Sequence, residues 1–368
     1  MLLKLKKFCK RETVLCAAVI LAAISSLWQT PRVDYIDFAV LSVLFSLMLV
    51  VAGLKNVRFL DWLALELLHC CTSWRGVVLA LVSVTYISSM FVTNDVALIT
   101  FVPLALIIGK QLQRDVARVI ILQTLAANLG SMVMPPGNPQ NLFLYAHYGY
   151  TATKFFSVMA LPGLLSVIFL CVLIWRGADA KLQLTLPNAK KPPLLETAVL
   201  LFLLLLNIGA VLHWLDKTLA LAITVVAILI RWRKLFVQVD YSLLVTFIGF
   251  FIFIGNISST CLAVYIQQYL LGTAQGTYLA GLAASQFISN VPAAMLLAGL
   301  TKKADALLLG VNVGGLGTLI ASMASVISYK LFVAEHPYQA GNYLRMFLYY
   351  NFAGLLLLGG AVYLLVIY

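Results

Sequence analysis

Asn128-Leu129-Gly130-Ser131-Met132-Val133-Met134-Pro135-Pro136-Gly137-Asn138-Pro139-Gln140-Asn141 lies in the middle of an otherwise apolar run, 117–147. Its three prolines and two glycines cannot continue an α-helix, because proline lacks the amide hydrogen and its ring clashes with the preceding turn. A second interruption reads Asn312-Val313-Gly314-Gly315-Leu316-Gly317-Thr318 and continues to Ser322 and Ser325 within the run 304–333. The two align without gaps, with Asn128 on Asn312, Gly130 on Gly314, Asn138 on Ser322 and Asn141 on Ser325. Backbone that leaves the helix inside an apolar medium survives only where protein buries it or a cavity receives it. Two matched interruptions therefore predict two broken spans that face one another in a membrane protein.

Composition agrees. Of 368 residues, 62% are hydrophobic and 10% charged, with a mean hydropathy of +1.00. A soluble domain is roughly 45–50% apolar and about 25% charged, so too few polar side chains exist to coat a globule of this size. At about 20 residues per span plus loops, the length accommodates roughly nine to twelve crossings. The net charge of +12 does not point to nucleic acid, because the basic residues sit in short groups between apolar runs rather than on one folded face. The six cysteines (9, 16, 70, 71, 171, 261) lack metal-like spacing and are expected to be small core residues in a reduced setting.

Apolar runs fall at 13–28, 36–54, 76–109, 117–147, 153–175, 195–213, 217–231, 240–256, 276–300, 304–333 and 343–366. Two of them carry an interior polar group: Thr93-Asn94-Asp95 in 76–109 and Ser289-Asn290-Val291-Pro292 in 276–300. Each is expected to be a re-entrant helical hairpin with the polar group at its tip. The expected fold is an all-α polytopic membrane protein of about nine spans and two hairpins. The N-terminal run resembles a signal peptide but ends in a poor cleavage site, so it is expected to be a retained first span. Residues 58–71 suit a helix lying in the membrane interface, with 258–271 as its counterpart.

With the N-terminus in the cytoplasm, twenty of the 25 basic residues fall inside, and Arg32, Lys154, Lys217, Lys302 and Lys303 fall outside. That is the bias the positive-inside rule requires. The cytoplasmic group includes Lys4, Lys6, Lys7, Lys10 and Arg11. Because span 195–213 is an extra crossing, the second half enters the bilayer upside down relative to the first. The organisation expected is a first repeat over 1–175, a linker and connecting span over 176–216, and a second, inverted repeat over 217–368.

Inverted repeats with discontinuous helices near the midplane are the architecture of secondary transporters. A helix that starts inside the membrane turns unpaired amides toward the gap and suits an anion; one that ends there presents carbonyls and suits a cation. Asp95 is the one acidic residue that this arrangement sets deep in the membrane. An ionised Asp at a helix centre costs about 2.5–3.5 kcal/mol, and no Lys or Arg sits at comparable depth, so a proton or a small cation is its expected partner. Its bland alternative is a helix cap for the second hairpin arm.

With Thr93-Asn94-Asp95-Val96-Ala97, Pro103, Gly137-Asn138-Pro139-Gln140-Asn141, Ser289-Asn290-Val291-Pro292 and the Gly314–Ser325 break, the chain resembles the ion transporter superfamily. That group includes citrate transporter-like anion permeases, arsenite efflux pumps, sodium/proton antiporters and sodium-coupled dicarboxylate carriers. The resemblance covers nearly the whole chain and is nearest to short bacterial inner-membrane anion permeases. It implies a substrate and ion site at Thr93, Asn94, Asp95, Gly137, Asn138, Asn141, Ser289, Asn290, Gly317, Thr318, Ser322 and Ser325, with Asp95 coupling and sodium at Thr93, Asn94 and Asp95. It also implies elevator-like motion and a homodimer. The dicarboxylate carriers read Ser-Asn-Thr at both tips; here the third position is Asp95 and Val291, which argues against a di- or tricarboxylate and is similar to the arsenite-pump and antiporter branches.

The expected function is an anion permease driven by protons or sodium, with no cofactor beyond that coupling ion. Its partners are the lipid bilayer and a small anionic or inorganic substrate, with no nucleic acid. The alternative is a sodium/proton antiporter or an arsenite/proton efflux carrier. An intramembrane enzyme is disfavoured, since His-Glu-x-x-His, a second facing carboxylate and Asp-rich magnesium sites are all missing. A passive channel stays open as a weaker reading.

Overall fold

The structure, a computed structural model, describes residues 12–182, 190–258 and 260–367. Lys4, Lys6, Lys7, Cys9, Lys10 and Arg11 lie outside the described residues. The described chain is helical throughout, with a single antiparallel bridge between Ser73 and Lys181. It opens with α1 (Thr13–Ser25), α2 (Phe38–Asn56) and the short α3 (Phe59–His69). The pair α4 (Trp74–Val92) and α5 (Asn94–Leu112) follows, then α6 (Ala117–Ser131), α7 (Pro139–His147) and α8 (Ala152–Trp175). Next come α9 (Leu194–Val211), α10 (Lys217–Arg231), α11 (Tyr241–Ile257) and the short α12 (Cys261–Tyr269). The chain closes with α13 (Ala274–Ile288), α14 (Asn290–Ala298), α15 (Ala304–Val313), α16 (Met323–Glu335) and α17 (Ala340–Val362).

Among the described residues, six segments are long and apolar enough to cross a membrane: α2, α4, α5, α8, α9 and the stretch Pro337–Ile367 that contains α17. Three runs expected to span form shorter helices, α1, α10 and α11, of 13, 15 and 17 residues. Both arms of the first hairpin have 19 residues. That is about 28 Å of helix, so each arm is itself long enough to cross a membrane, because regular structure runs through Trp74 and Arg75 at one end and through Lys110 to Leu112 at the other.

Both turns that were expected from sequence form. A single residue joins α4 to α5 and α13 to α14: Thr93 (φ 71°, ψ 152°) and Ser289 (φ 75°, ψ 152°). This region belongs almost wholly to glycine and costs about 1–3 kcal/mol for other residues. Both interruptions also form, with a 3₁₀ turn at Pro135–Gly137 between α6 and α7 and another at Leu319–Ala321 between α15 and α16. The gapless alignment carries one turn onto the other.

Small residues set the packing. A Cβ on Gly130 of α6 would stand 2.3 Å from the Tyr86 carbonyl of α4, and one on Gly310 of α15 would stand 2.5 Å from the Tyr278 carbonyl of α13. Each hairpin arm is thus drawn tight against the helix before the break, as small residues permit between membrane helices. The crossing between halves is reciprocal: α5 packs on α16, and α14 on α7. Ala18 of α1 meets Gly249 of α11 in the same manner. Around these, Ser46 of α2, Asn207 of α9 and Thr224 of α10 share a buried hydrogen-bonded cluster.

The ends of the bundle are strapped. Arg75 pairs with Asp179 at 3.6 Å and donates to the Gly177 carbonyl, while Arg118 donates to the Leu173 carbonyl and to Tyr350. These cations sit where the C-terminus of α8 carries partial negative charge. The amide of Arg75 holds the Asp179 carboxyl below its usual range. At the opposite end Asp305 pairs with Lys154 at 2.6 Å and accepts from Tyr150.

The cysteines depart from expectation. None of the five described is fully buried; Cys70 and Cys261 are exposed, and Cys16, Cys71 and Cys171 are half-buried. A thiol needs only an apolar neighbourhood, and the outer face of a membrane helix supplies one as well as the core does.

Alanine at Gly130 or Gly310 is expected to destabilise the protein by about 1–3 kcal/mol through overpacking. Gly360→Ala, where a Cβ meets open space, should change it by less than about 0.5 kcal/mol. Denaturant unfolding in mixed micelles checks the contrast.

Candidate functional site

Four helix starts, at Asn94, Pro139, Asn290 and Met323, follow the two tight turns and the two helix breaks. Buried side chains link the first, second and fourth of these starts into one network. From the first tip, Asn94 Nδ2 donates to Asn128 Oδ1 at 3.2 Å. Ser322 Oγ donates to the same oxygen at 2.9 Å, and Asn128 Nδ2 reaches Ser325 Oγ at 3.4 Å and the Gly315 carbonyl at 3.5 Å. Asn128 of the first half thus holds the second break.

The reverse also holds. Asn312, which aligns with Asn128, donates to Asn141 Oδ1 at 2.6 Å, and its own Oδ1 accepts from Asn138 Nδ2 at 3.2 Å. Asn138 and Asn141 align with Ser322 and Ser325. The two clusters are therefore counterparts, each built from one half's pre-break asparagine and the other half's post-break pair. Ser131 links them, donating to the Asn128 carbonyl and accepting from Asn138.

Local chemistry explains why these residues fold so. Asn138 is the N-cap of α7, its Oδ1 accepting from the Asn141 amide at 2.8 Å, with Pro139 at the first helical position, where its missing amide costs nothing. Asn141 Nδ2 turns back to the carbonyls of Ser131, Met132 and Met134. Gly137 fits beneath, where a Cβ would stand 2.2 Å from the Ser131 carbonyl. Carbonyls freed by the break of α6 are thereby satisfied, as buried polar groups must be.

Asp95 occupies the first turn of α5, where the helix dipole favours an anion. Its amide donates to Asn94 Oδ1 at 3.0 Å, while its buried Oδ1 has no hydrogen-bond partner. Among the described residues no Lys or Arg forms an ion pair with it. Asp240, the N-cap of α11, is another carboxylate near enough for its charge to act on Asp95.

The remaining expected residues divide. Ser289 Oγ reaches the Ala321 carbonyl at 3.5 Å, and the Asn290 carboxamide lies over Gly315. Gly317 and Thr318 are engaged by Gln286 of α13. The Thr318 amide and hydroxyl donate to Gln286 Oε1 and to its carbonyl, both at 2.9 Å. A Cβ on Gly317 would stand 2.2 Å from Gln286 Oε1, and its φ is +105°. Those two positions therefore shape the second break rather than offering free ligands.

Sequence reasoning aligned Asn128 and Asn312 without giving them a role, and gave none to Gln286. Their signal is position: a carboxamide just before each break, and one three residues before the second tip. A surface hollow of about 460 Å³ lies away from this centre, on the outer face of α8 between Val167 and Arg176.

A family model described as citrate transporter matches residues 5–327. An uncharacterized transporter of Methanocaldococcus jannaschii is 34% identical over 295 residues, covering 78% of this chain and 79% of that protein. The inner membrane protein YbiR of Escherichia coli is 29% identical over 305 residues, covering 80% of each. A putative transporter, arsB, of Dictyostelium discoideum is 24% identical over 139 residues, covering 38% of this chain and 25% of that protein.

Double-mutant cycles test the reciprocal clusters. Asn312→Ala with Asn141→Ala, and Asn128→Ala with Ser322→Ala, should each show a coupling energy of about 0.5–1.7 kcal/mol. The mixed pair Ser322→Ala with Asn141→Ala, joined only indirectly through Asn128 and Ser131, should show a smaller coupling than either direct pair, as read by reversible unfolding.

Proposed function

Because the chain belongs to the citrate transporter family, a group of membrane transporters, we propose that it is a secondary active anion permease coupled to protons or sodium by alternating access. The observation that carries this reading is the Asp95 carboxylate, with one buried oxygen unpartnered, beside a tip whose Asn94 binds Asn128, the residue that also holds Ser322 at the second break.

The proposed topology has nine crossings and two re-entrant hairpins, with the N-terminus in the cytoplasm of an inner-membrane protein. Its support is the basic-residue bias and the name of the Escherichia coli relative. The proposed repeats, 1–175 and 217–368, gain support from the matched 3₁₀ turns, the matched tip dihedrals and the reciprocal asparagine clusters. Two such halves related by inversion supply two conformations of similar energy, one open to each side. Anion binding falls to the amides at the starts of α5, α7, α14 and α16, and ion coupling to Asp95.

A second reading is supported by the third tip residue. Neither Asp95 nor Val291 brings a hydroxyl to grip a carboxylate, and an acid at this point suits exchange of a proton for a cation or for an arsenic oxyacid. The similarity to a putative transporter named arsB points the same way.

The test is uptake into proteoliposomes under imposed proton and sodium gradients, with citrate, phosphate, sulfate and arsenite as substrates. Asp95→Asn should keep the fold and lower gradient-driven flux about tenfold or more. Unchanged dependence on both gradients in that variant rules out Asp95 as the coupling group.

A further inference from the structure

Cation binding at an interrupted membrane helix relies on carbonyls left open at the helix end. In both breaks those carbonyls converge on a side-chain amide instead. At the first, Asn141 Nδ2 lies 3.3, 3.0 and 3.2 Å from the carbonyl oxygens of Ser131, Met132 and Met134. At the second, Gln286 Nε2 lies 2.8 and 3.0 Å from those of Gly314 and Leu316, and 3.2 Å from the Leu282 carbonyl of its own helix. The Gly315 and Ala321 carbonyls accept from Asn128 and Ser289.

Side-chain oxygens are committed as well. The carboxamide oxygens of Asn94, Asn128, Asn138, Asn141, Gln286 and Asn312 each accept a hydrogen bond from the protein. A sodium ion at either break would have to displace a carboxamide and leave its donors unpaired, at about 1–3 kcal/mol for each buried group.

The two amides arise differently. Asn141 comes from the helix after its break and aligns with Ser325; Gln286 comes from a hairpin arm, and the matching place in the first hairpin is held by Met90. Gly137 and Gly317 each leave the space that these amides need.

We propose that Asn141 and Gln286 are positioning residues that stand in for a bound cation, so that neither break takes up sodium and the coupling ion is confined to the Asp95 carboxylate. The last clause rests on the transporter reading above; the first stands without it.

The experiment is thermal unfolding of the purified full chain in sodium chloride and in choline chloride of equal ionic strength. Asp95→Asn, which silences the carboxylate, should melt at the same temperature in both salts. In that background Gln286→Glu sets a carboxylate against the Gly314 and Leu316 carbonyls, and Asn141→Asp does so against those of Ser131, Met132 and Met134. Each should gain a sodium-dependent rise of about 3 °C or more, since an ion that binds only folded protein raises its melting point. Asp95→Asn/Gln286→Ala, which merely vacates the place, gives a third reading where a carboxylate is not tolerated. A loss of packing alone would lower melting equally in both salts.

The proposal is overturned if Asp95→Asn alone is stabilised by sodium, or if the folded double variants ignore it. Wild-type protein that responds to neither sodium nor pH would count against Asp95 as the coupling residue. The double variants would still decide the role of the two carboxamides.

Discussion

A helix interrupted away from water leaves amides and carbonyls that must find partners inside the protein, at several kcal/mol for each one that does not. The middle of this molecule is organised around that requirement. Asparagine and glutamine meet it best, because one planar group brings both a donor pair and an acceptor to a fixed place. A hydroxyl cannot bridge three carbonyls, and a charged group would carry its own desolvation penalty. The result is a polar centre built from Asn94, Asn128, Asn138, Asn141, Gln286 and Asn312, with Asp95 next to it in the chain. The glycines next to it follow from the same demand, since a carboxamide lies flat against backbone only where no Cβ intervenes.

Helix breaks were legible in the sequence because proline and glycine act locally. Pro135, Pro136 and Pro139 stop a helix whatever surrounds them, and Gly314, Gly315 and Gly317 weaken one in the same place of an aligned segment. The tips were legible for a related reason: Thr93-Asn94-Asp95 and Ser289-Asn290 are polar groups that a continuous apolar helix has no use for. Asp95 stood out as the lone acid in such a run, but the fold brings the charge of Asp240, at the start of α11, within its reach.

Long-range partnership was not legible. Nothing near Asn128 announces Ser322, 194 residues away, and nothing near Gln286 announces the Gly314 carbonyl, because hydrogen bonds between segments leave no local pattern. Exposure misled in one class. Cysteine was expected inside by its usual preference in water-soluble proteins, yet a membrane protein's outer surface is also apolar. Arm length was underestimated for the first hairpin, because Trp74, Arg75 and Lys110 read as ends when the helices continue through or beyond them.

The reciprocal asparagine clusters bear on how the chain is made. Synthesis delivers Asn128, Asn138 and Asn141 before the residues that complete them. Until Asn312, Ser322 and Ser325 emerge, the earlier segments must wait in the insertion machinery or satisfy one another provisionally. A chain that stopped short of Asn312 would leave the carboxamides of Asn138 and Asn141 without the partner that completes them, at a cost for every polar group left unpaired away from water.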